Sequence, residues 1–121
     1  MNKIVLVIED SPSYREVLRL ALERQGYTVL LAADGPQAMA ILPKTPLAAV
    51  LCDLNLPGKD GFDVMAELRQ LPAHRFTPIV VLTTESRDEA KDRGRALGVR
   101  AWMVKPFQPG QLVEVLRRVI G

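Results

Sequence analysis

The chain has 121 residues, 48% hydrophobic and 25% charged, with a formal net charge of +2. That length makes one domain with a core of its own, and so small a charge gives no ground for nucleic-acid binding. The single cysteine, Cys52, and the single histidine, His74, leave no internal disulfide framework and no Cys/His metal site.

No apolar run approaches the ~20 residues that span a bilayer. The six apolar-rich residues at the start are too few for the core of a secretory leader, and a lone cysteine fits a reducing cytoplasm, the expected location.

Apolar runs alternate with stretches of helical period five times, the rhythm of βα units around a parallel sheet. Residues 3–8 are the first predicted strand, which stops at Glu9-Asp10. Ser11 caps a first helix with Pro12 at its first position. Tyr14, Val17, Leu18, Ala21 and Leu22 supply its inner stripe, and Gly26 ends it in a left-handed conformation. Thr28–Ala32 is the second strand, and a short helix follows Asp34-Gly35-Pro36 and ends before Pro43.

The third strand, residues 48–52, stops at Asp53. Pro57-Gly58 marks a turn, after which Phe62, Met65 and Leu68 give a third helix closed by Pro72. Residues 79–82 form a fourth strand that stops at Thr83-Thr84. Ser86-Arg87-Asp88-Glu89 reads as a capping box opening the fourth helix. That helix has a thin stripe of Ala90, Gly94 and Leu97 and stops at Gly98. Gly94 in its middle costs roughly 1 kcal/mol relative to Ala. Residues 101–104 form a fifth strand that stops at Lys105-Pro106. The fifth helix starts near Pro109, with Leu112, Val115, Leu116 and Val119 spaced i, i+3, i+4, i+7.

Five strict alternations suit a three-layer α/β sandwich with an open parallel sheet. A closed barrel takes eight units in about 250 residues, and this chain is half that length.

In an open parallel sheet the carboxyl ends of the strands share one edge, where ligands bind. Here those ends would bring together Glu9, Asp10, Asp53, Thr83 and Lys105. Taken singly the acids say little, and Asp53 could equally cap the turn that follows it. Taken together they pose an electrostatic problem. Two unit charges 5 Å apart interact by roughly 3 kcal/mol at an effective dielectric of 20. Three carboxylates in one crevice therefore repel unless neutralised. Lys105 offsets one charge, and Mg²⁺, which favours one or two carboxylates with waters and phosphate oxygens, offsets two. One carboxylate can then serve as nucleophile toward a phosphoryl group, with Thr83 donating a hydrogen bond to it and Lys105 neutralising an oxygen. On that reading, replacing Asp53 with Asn stabilises the metal-free fold by removing one repelling charge.

Four segments carry a resemblance: Val7-Ile8-Glu9-Asp10-Ser11, Cys52-Asp53-Leu54-Asn55-Leu56-Pro57-Gly58-Lys59-Asp60-Gly61, Val81-Leu82-Thr83-Thr84 and Val104-Lys105-Pro106-Phe107. Each alone is common. In this order and at these separations the chain, over residues 1–121, resembles the receiver domain of bacterial response regulators, specifically the stand-alone chemotaxis (CheY-like) type. The resemblance implies a flavodoxin-like (βα)₅ fold with strand order 2-1-3-4-5. It implies Asp53 as phosphoacceptor, with Thr83 and Lys105 assisting. Mg²⁺ would be held by Glu9 (through water), Asp10, Asp53 and the backbone carbonyl of Asn55. Lys105-Pro106 would be cis, and Thr83 and Trp102 would be the switching residues. Asn55, Glu85 and Thr84 fall at positions that tune the lifetime of the phosphorylated state, expected to be short. Trp102 and Thr84 depart from the family, which more often has Tyr or Phe and a small residue there.

The resemblance further implies a two-component signalling switch rather than an enzyme, catalysing only its own phosphorylation and dephosphorylation. Its phosphoryl donor would be a histidine kinase or phosphotransfer protein. A protein target would read the face made by the fourth helix, fifth strand and fifth helix. No direct nucleic-acid or membrane contact is expected, and the protein would be a monomer or weak dimer.

Other readings stand beside it. An aspartyl-nucleophile phosphatase usually needs a second acid two residues beyond the nucleophile, where this chain has Asn55. A flavin-binding module would want a Ser/Thr/Gly-rich phosphate loop after the first strand, where Glu9-Asp10 would repel the phosphate. The chain could also be a receiver excised from a larger regulator, although its end at Gly121, soon after the fifth helix, favours a stand-alone protein. Of the remaining residues, Cys52 is expected to be a small buried strand residue, His74 a solvated loop residue, and Arg117-Arg118 a charged helix end complementing the dipole.

Overall fold

The structure, a computed structural model, describes residues 3–120. Strands β1 (Ile4–Ile8), β2 (Thr28–Ala32), β3 (Ala49–Cys52), β4 (Ile79–Thr83) and β5 (Val99–Val104) alternate with helices α1 (Pro12–Glu23), α2 (Gly35–Ile41), α3 (Gly61–Gln70), α4 (Asp88–Ala96) and α5 (Pro109–Ile120). Two short 3₁₀ turns follow α2 and α3, at Leu42–Lys44 and Pro72–His74. All strand pairs are parallel, in the order β2-β1-β3-β4-β5. This is the expected flavodoxin-like order.

The strands read as continuous apolar runs because helices cover both sheet faces. Strand periodicity sends alternate residues to opposite sides. Leu6, Ile8, Val50, Cys52, Ile79 and Val81 meet Ala38 of α2 and Phe62, Met65 and Leu68 of α3. Val5, Val7, Ala49, Leu51, Val80 and Leu82 meet Leu18 and Leu22 of α1 and Leu112 and Leu116 of α5. Each of these leucines is 0–1% exposed, so truncating one to Ala would cost about 2–5 kcal/mol.

The helix starts follow from local chemistry. The Ser11 hydroxyl accepts from the Tyr14 N–H at 3.2 Å, and Pro12 occupies the position that needs no donor. Asp34 and Asp60 cap α2 and α3 by accepting from the N–H groups of Gln37 and Asp63, at 2.8 and 2.9 Å. Gly26 and Gly98 end α1 and α4 at φ of 92° and 79°, a region that favours glycine.

Three expectations are corrected. There is no capping box at Ser86: α4 starts at Asp88, and Arg87 stands at its cap without a side-chain capping bond. The Glu85 carboxylate instead accepts the Ser86 and Arg87 N–H groups, at 3.0 and 2.9 Å. A charged acceptor outcompetes a hydroxyl there. His74 is not solvated: it is wholly buried, between the Thr77 hydroxyl at 3.0 Å and the Leu42 carbonyl oxygen at 2.6 Å. It ties together the segments that follow α2 and α3, a tertiary contact with no periodic signature. β5 begins at Val99 rather than 101, because a register shift opposite Ile79/Val80 admits the exposed Arg100 into the edge strand.

Candidate functional site

The carboxyl ends of β1, β3, β4 and β5 deliver the expected residues to one edge of the sheet. Asp53 extends β3, its N–H donating to the Ile8 carbonyl oxygen at 3.0 Å. The chain then turns back so tightly that α3 begins against the Asp53 backbone. A Cβ on Gly61 would lie 2.3 Å from the Asp53 carbonyl oxygen, so only glycine fits. That contact and the Asn55 N–H, which donates to Asp53 Oδ1 at 3.1 Å, fix the carboxylate's position.

Glu9 is buried, and its Oε2 accepts from the Ser11 N–H at 3.1 Å. Its carbonyl oxygen accepts from Arg15 Nη1 at 2.7 Å. Asp10 is exposed at the mouth. Oxygens of Glu9, Asp10 and Asp53 all lie within 4.8 Å of one another.

Lys105 reaches back over this group. Its backbone N–H donates to the Thr83 carbonyl oxygen at 2.8 Å, which links the ends of β4 and β5. Its Nζ donates to Asp53 Oδ2 at 2.7 Å and to Glu9 Oε1. The ammonium lies 4.3 Å from the centroid of the Tyr14 ring, which Phe107 meets edge-on at 6.0 Å. The Lys105-Pro106 peptide is cis, as expected. The wholly buried Thr83 accepts from the Glu85 N–H through Oγ1 at 3.3 Å.

The electrostatics follow from three carboxylates facing one ammonium. Burial raises the Glu9 pKa above its ordinary 4.5, and the Lys105 and Ser11 hydrogen bonds only partly oppose it. Burial works against the Lys105 charge, but its bonds to Asp53 and Glu9 outweigh that and hold its pKa above 10.5. Burial and the neighbouring carboxylates push the Cys52 thiol far up, so it is an inert core residue.

The remaining candidates lie around the rim. Asn55 and Thr84 are exposed. The Glu85 carboxylate is drawn away by Arg87, at 2.8 Å, and by the backbone N–H groups, which lower its pKa to about 2. Trp102 lies half-buried on α4, its Nε1 donating to the Glu85 carbonyl oxygen at 2.9 Å. Among the residues around the site, Tyr14 reads from the sequence only as part of a helix stripe. Its one sequence signal is a ring with a polar tip, one helical turn beyond an acidic pair.

Hard oxygen donors in this number suit Mg²⁺, and the exposed Asp10 offers entry from solvent. A doubly wound sheet with an acid-lined edge and a lysine across it makes a site suited to a divalent cation and a phosphoryl group. A family model for the response regulator receiver domain matches residues 5–117. The chain belongs to the response regulator receiver domain family.

Its solved relatives agree in shape. The chemotaxis response regulator CheY4 of Vibrio cholerae is 39% identical, with a TM-score of 0.94 over 98% of this chain and 99% of that one. The receiver domain of the sensor histidine kinase PA1611 from Pseudomonas aeruginosa is 31% identical, with a TM-score of 0.90 over 100% and 99% of the two chains. That structure carries a magnesium ion in its active-site cleft. The response regulator GtcR of Aneurinibacillus migulanus is 33% identical over 113 residues, 93% of this chain but 46% of its own length. This chain thus spans about half of that relative. No helix among the described residues is long and apolar enough to cross a membrane.

Proposed function

We propose that this receiver domain takes a phosphoryl group on Asp53 from a phosphohistidine of a kinase or phosphotransfer protein, in the cytoplasm, and signals by binding a protein target. The observation that carries this is the Lys105 ammonium, 2.7 Å from one Asp53 oxygen, with two further carboxylates alongside.

In the reaction, an Asp53 oxygen attacks phosphorus as the donor's P–N bond breaks. The bonding electron pair leaves on the donor imidazole. Lys105 transfers its hydrogen bond from Asp53 Oδ2 to a phosphoryl oxygen, and the Thr83 hydroxyl donates a hydrogen bond to another. Glu9, Asp10, Asp53 and the Asn55 carbonyl would hold Mg²⁺, which when bound neutralises charge on the phosphoryl oxygens.

The product adds charge of about −1.5 to −2. Drawing Thr83 inward pulls on the Glu85 N–H bonded to it, and the Glu85 carbonyl is what holds Trp102. The face of α4, β5 and α5 is therefore the one a target reads. Gly94 is the only buried residue of α4, so the helix shifts at low cost. Asn55, Thr84 and Glu85, at the rim of the site, set the lifetime of the acyl phosphate, expected to be short. The domain acts as a monomer or weak dimer, without direct nucleic-acid or membrane contact.

Incubation with acetyl phosphate, with and without Mg²⁺, tests the proposal by intact mass. One added phosphoryl group only when Mg²⁺ is present supports it, and no addition contradicts it. GtcR favours a second reading of context, in which this domain forms part of a longer regulator and drives an attached output domain.

A further inference from the structure

At the amino ends of β4 and β5, opposite the acidic edge, lies an open cleft of about 430 Å³. Arg69, Arg75, Phe76, Leu97, Gly98 and Arg100 line it, with no carboxylate among its walls. Phe76 is 80% exposed, the most exposed large apolar side chain among the described residues.

Arg69 is fixed in place. Its guanidinium donates to four carbonyl oxygens: Leu97 at 2.8 Å, His74 at 2.9 Å, Thr77 at 2.8 Å and Gly98 at 3.3 Å. Those acceptors satisfy its geometry but not its charge. Burial, and then repulsion from Arg100, both work against that charge. None of Arg69, Arg75 and Arg100 forms an ion pair among the described residues. Lys91 of α4 lines the adjoining cleft with Arg100, beside Arg95, which pairs with Asp92.

An isolated exposed phenylalanine means little. Here it shares one cleft with Leu97 and with three arginines that form no ion pair among the described residues. The cleft is too open to enclose a small ligand, which a pocket normally buries by 70–90% or more. It is also too short for a duplex, whose binding typically rests on several phosphate contacts.

We propose that this edge docks an acidic segment of a partner protein, its carboxylates pairing with Arg75 and Arg100 and one apolar side chain packing on Phe76 and Leu97. Arg69 is the rigid floor of that site. The surface lies opposite the phosphorylation edge and adjoins the proposed output face at Arg100 of β5 and the end of α4.

The test uses the whole chain and a short fluorescein-labelled peptide of Asp and Glu around one Leu, read by anisotropy. Binding should weaken as salt is raised. It should fall by about tenfold or more in Arg75→Glu/Arg100→Glu, and by a smaller factor in Phe76→Ala. Arg24→Glu/Lys44→Glu, exposed elsewhere on the surface, matches the charge change and should keep most of the affinity. Circular dichroism verifies that each variant is folded. Amide shifts on titration should cluster at 76 and 97–100. Equal loss in the two double variants would overturn the proposal, as would shifts centred elsewhere. Tighter binding of an oligothymidylate or of anionic vesicles than of the peptide would also overturn it.

Discussion

The indole N–H of Trp102 donates to the carbonyl oxygen of Glu85 at 2.9 Å, and the Glu85 N–H donates to Thr83 Oγ1 at 3.3 Å. A buried hydroxyl at the acidic edge is thereby two hydrogen bonds from the aromatic residue of β5. Trp102→Phe keeps a ring and removes the donor. Stability should fall by about 1 kcal/mol, and amide exchange in residues 85–90 should accelerate. Unchanged exchange would mean that the bond does not hold the loop.

Gly94 lies under that indole. A Cβ there would come within 3.0 Å of Trp102 Cζ3. Ala gains roughly 1 kcal/mol in helix propensity, but overpacking costs about 1–3, and Phe62, 6.4 Å away between ring centroids, limits the indole's retreat. Gly94→Ala should therefore destabilise the native protein slightly yet stabilise Trp102→Ala. Urea melts of the four proteins in this double-mutant cycle measure the coupling. Additive effects would mean that the indole moves aside freely.

Three carboxylates cluster beside one ammonium that pairs with two of them, and the two ways of changing that balance have opposite signs. Lys105→Ala leaves Glu9 and Asp53 buried without a counter-ion. It should cost about 3 kcal/mol without metal, and the Mg²⁺-induced rise in melting temperature should grow. Asp53 does have favourable partners in Lys105 and the Asn55 N–H. Even so, Asp53→Asn leaves Lys105 on Glu9 and removes surplus charge, so the metal-free melting temperature should rise, by roughly 1 kcal/mol of stability. Thermal melts with and without Mg²⁺ check both signs.

Glu9 gives a pH signature. Its folded pKa lies above the ordinary 4.5, chiefly through burial, so between those two values the folded state binds more protons than the unfolded. Stability without metal then falls as pH rises through that window, a loss that Glu9→Gln should remove. Groups such as Glu85, whose pKa is depressed to about 2, slope the other way, so the informative quantity is the difference between wild type and Glu9→Gln. Protons also compete with Mg²⁺ for this carboxylate. Calorimetric Mg²⁺ affinity should decline as pH falls through the same window.

The sheet was legible because buried parallel strands must be continuous apolar runs, and four of the five here end abruptly in a polar group. The meeting of Glu9, Asp10, Asp53 and Lys105 was legible from the same ends once the strands were taken as parallel. What escaped was tertiary. His74 is buried by contact with a carbonyl 32 residues away, which no local pattern encodes. The start of α4 was misplaced because Ser86 and Glu85 both offer an acceptor, and only the folded geometry shows Glu85 taking the backbone N–H groups. Tyr14 looked like any core aromatic until Lys105 arrived over its face.

The nucleophile can be read most directly by chemical trapping. An acyl phosphate on a carboxylate is reduced by borohydride to an alcohol, which converts aspartate to homoserine. After acetyl phosphate, Mg²⁺ and borohydride, peptide mapping should find homoserine at position 53 and nowhere else, with none in Asp53→Asn. Homoserine at 10 or 60, or a phosphoryl group that survives in Asp53→Asn, would contradict the assignment of Asp53 as the residue phosphorylated under Lys105.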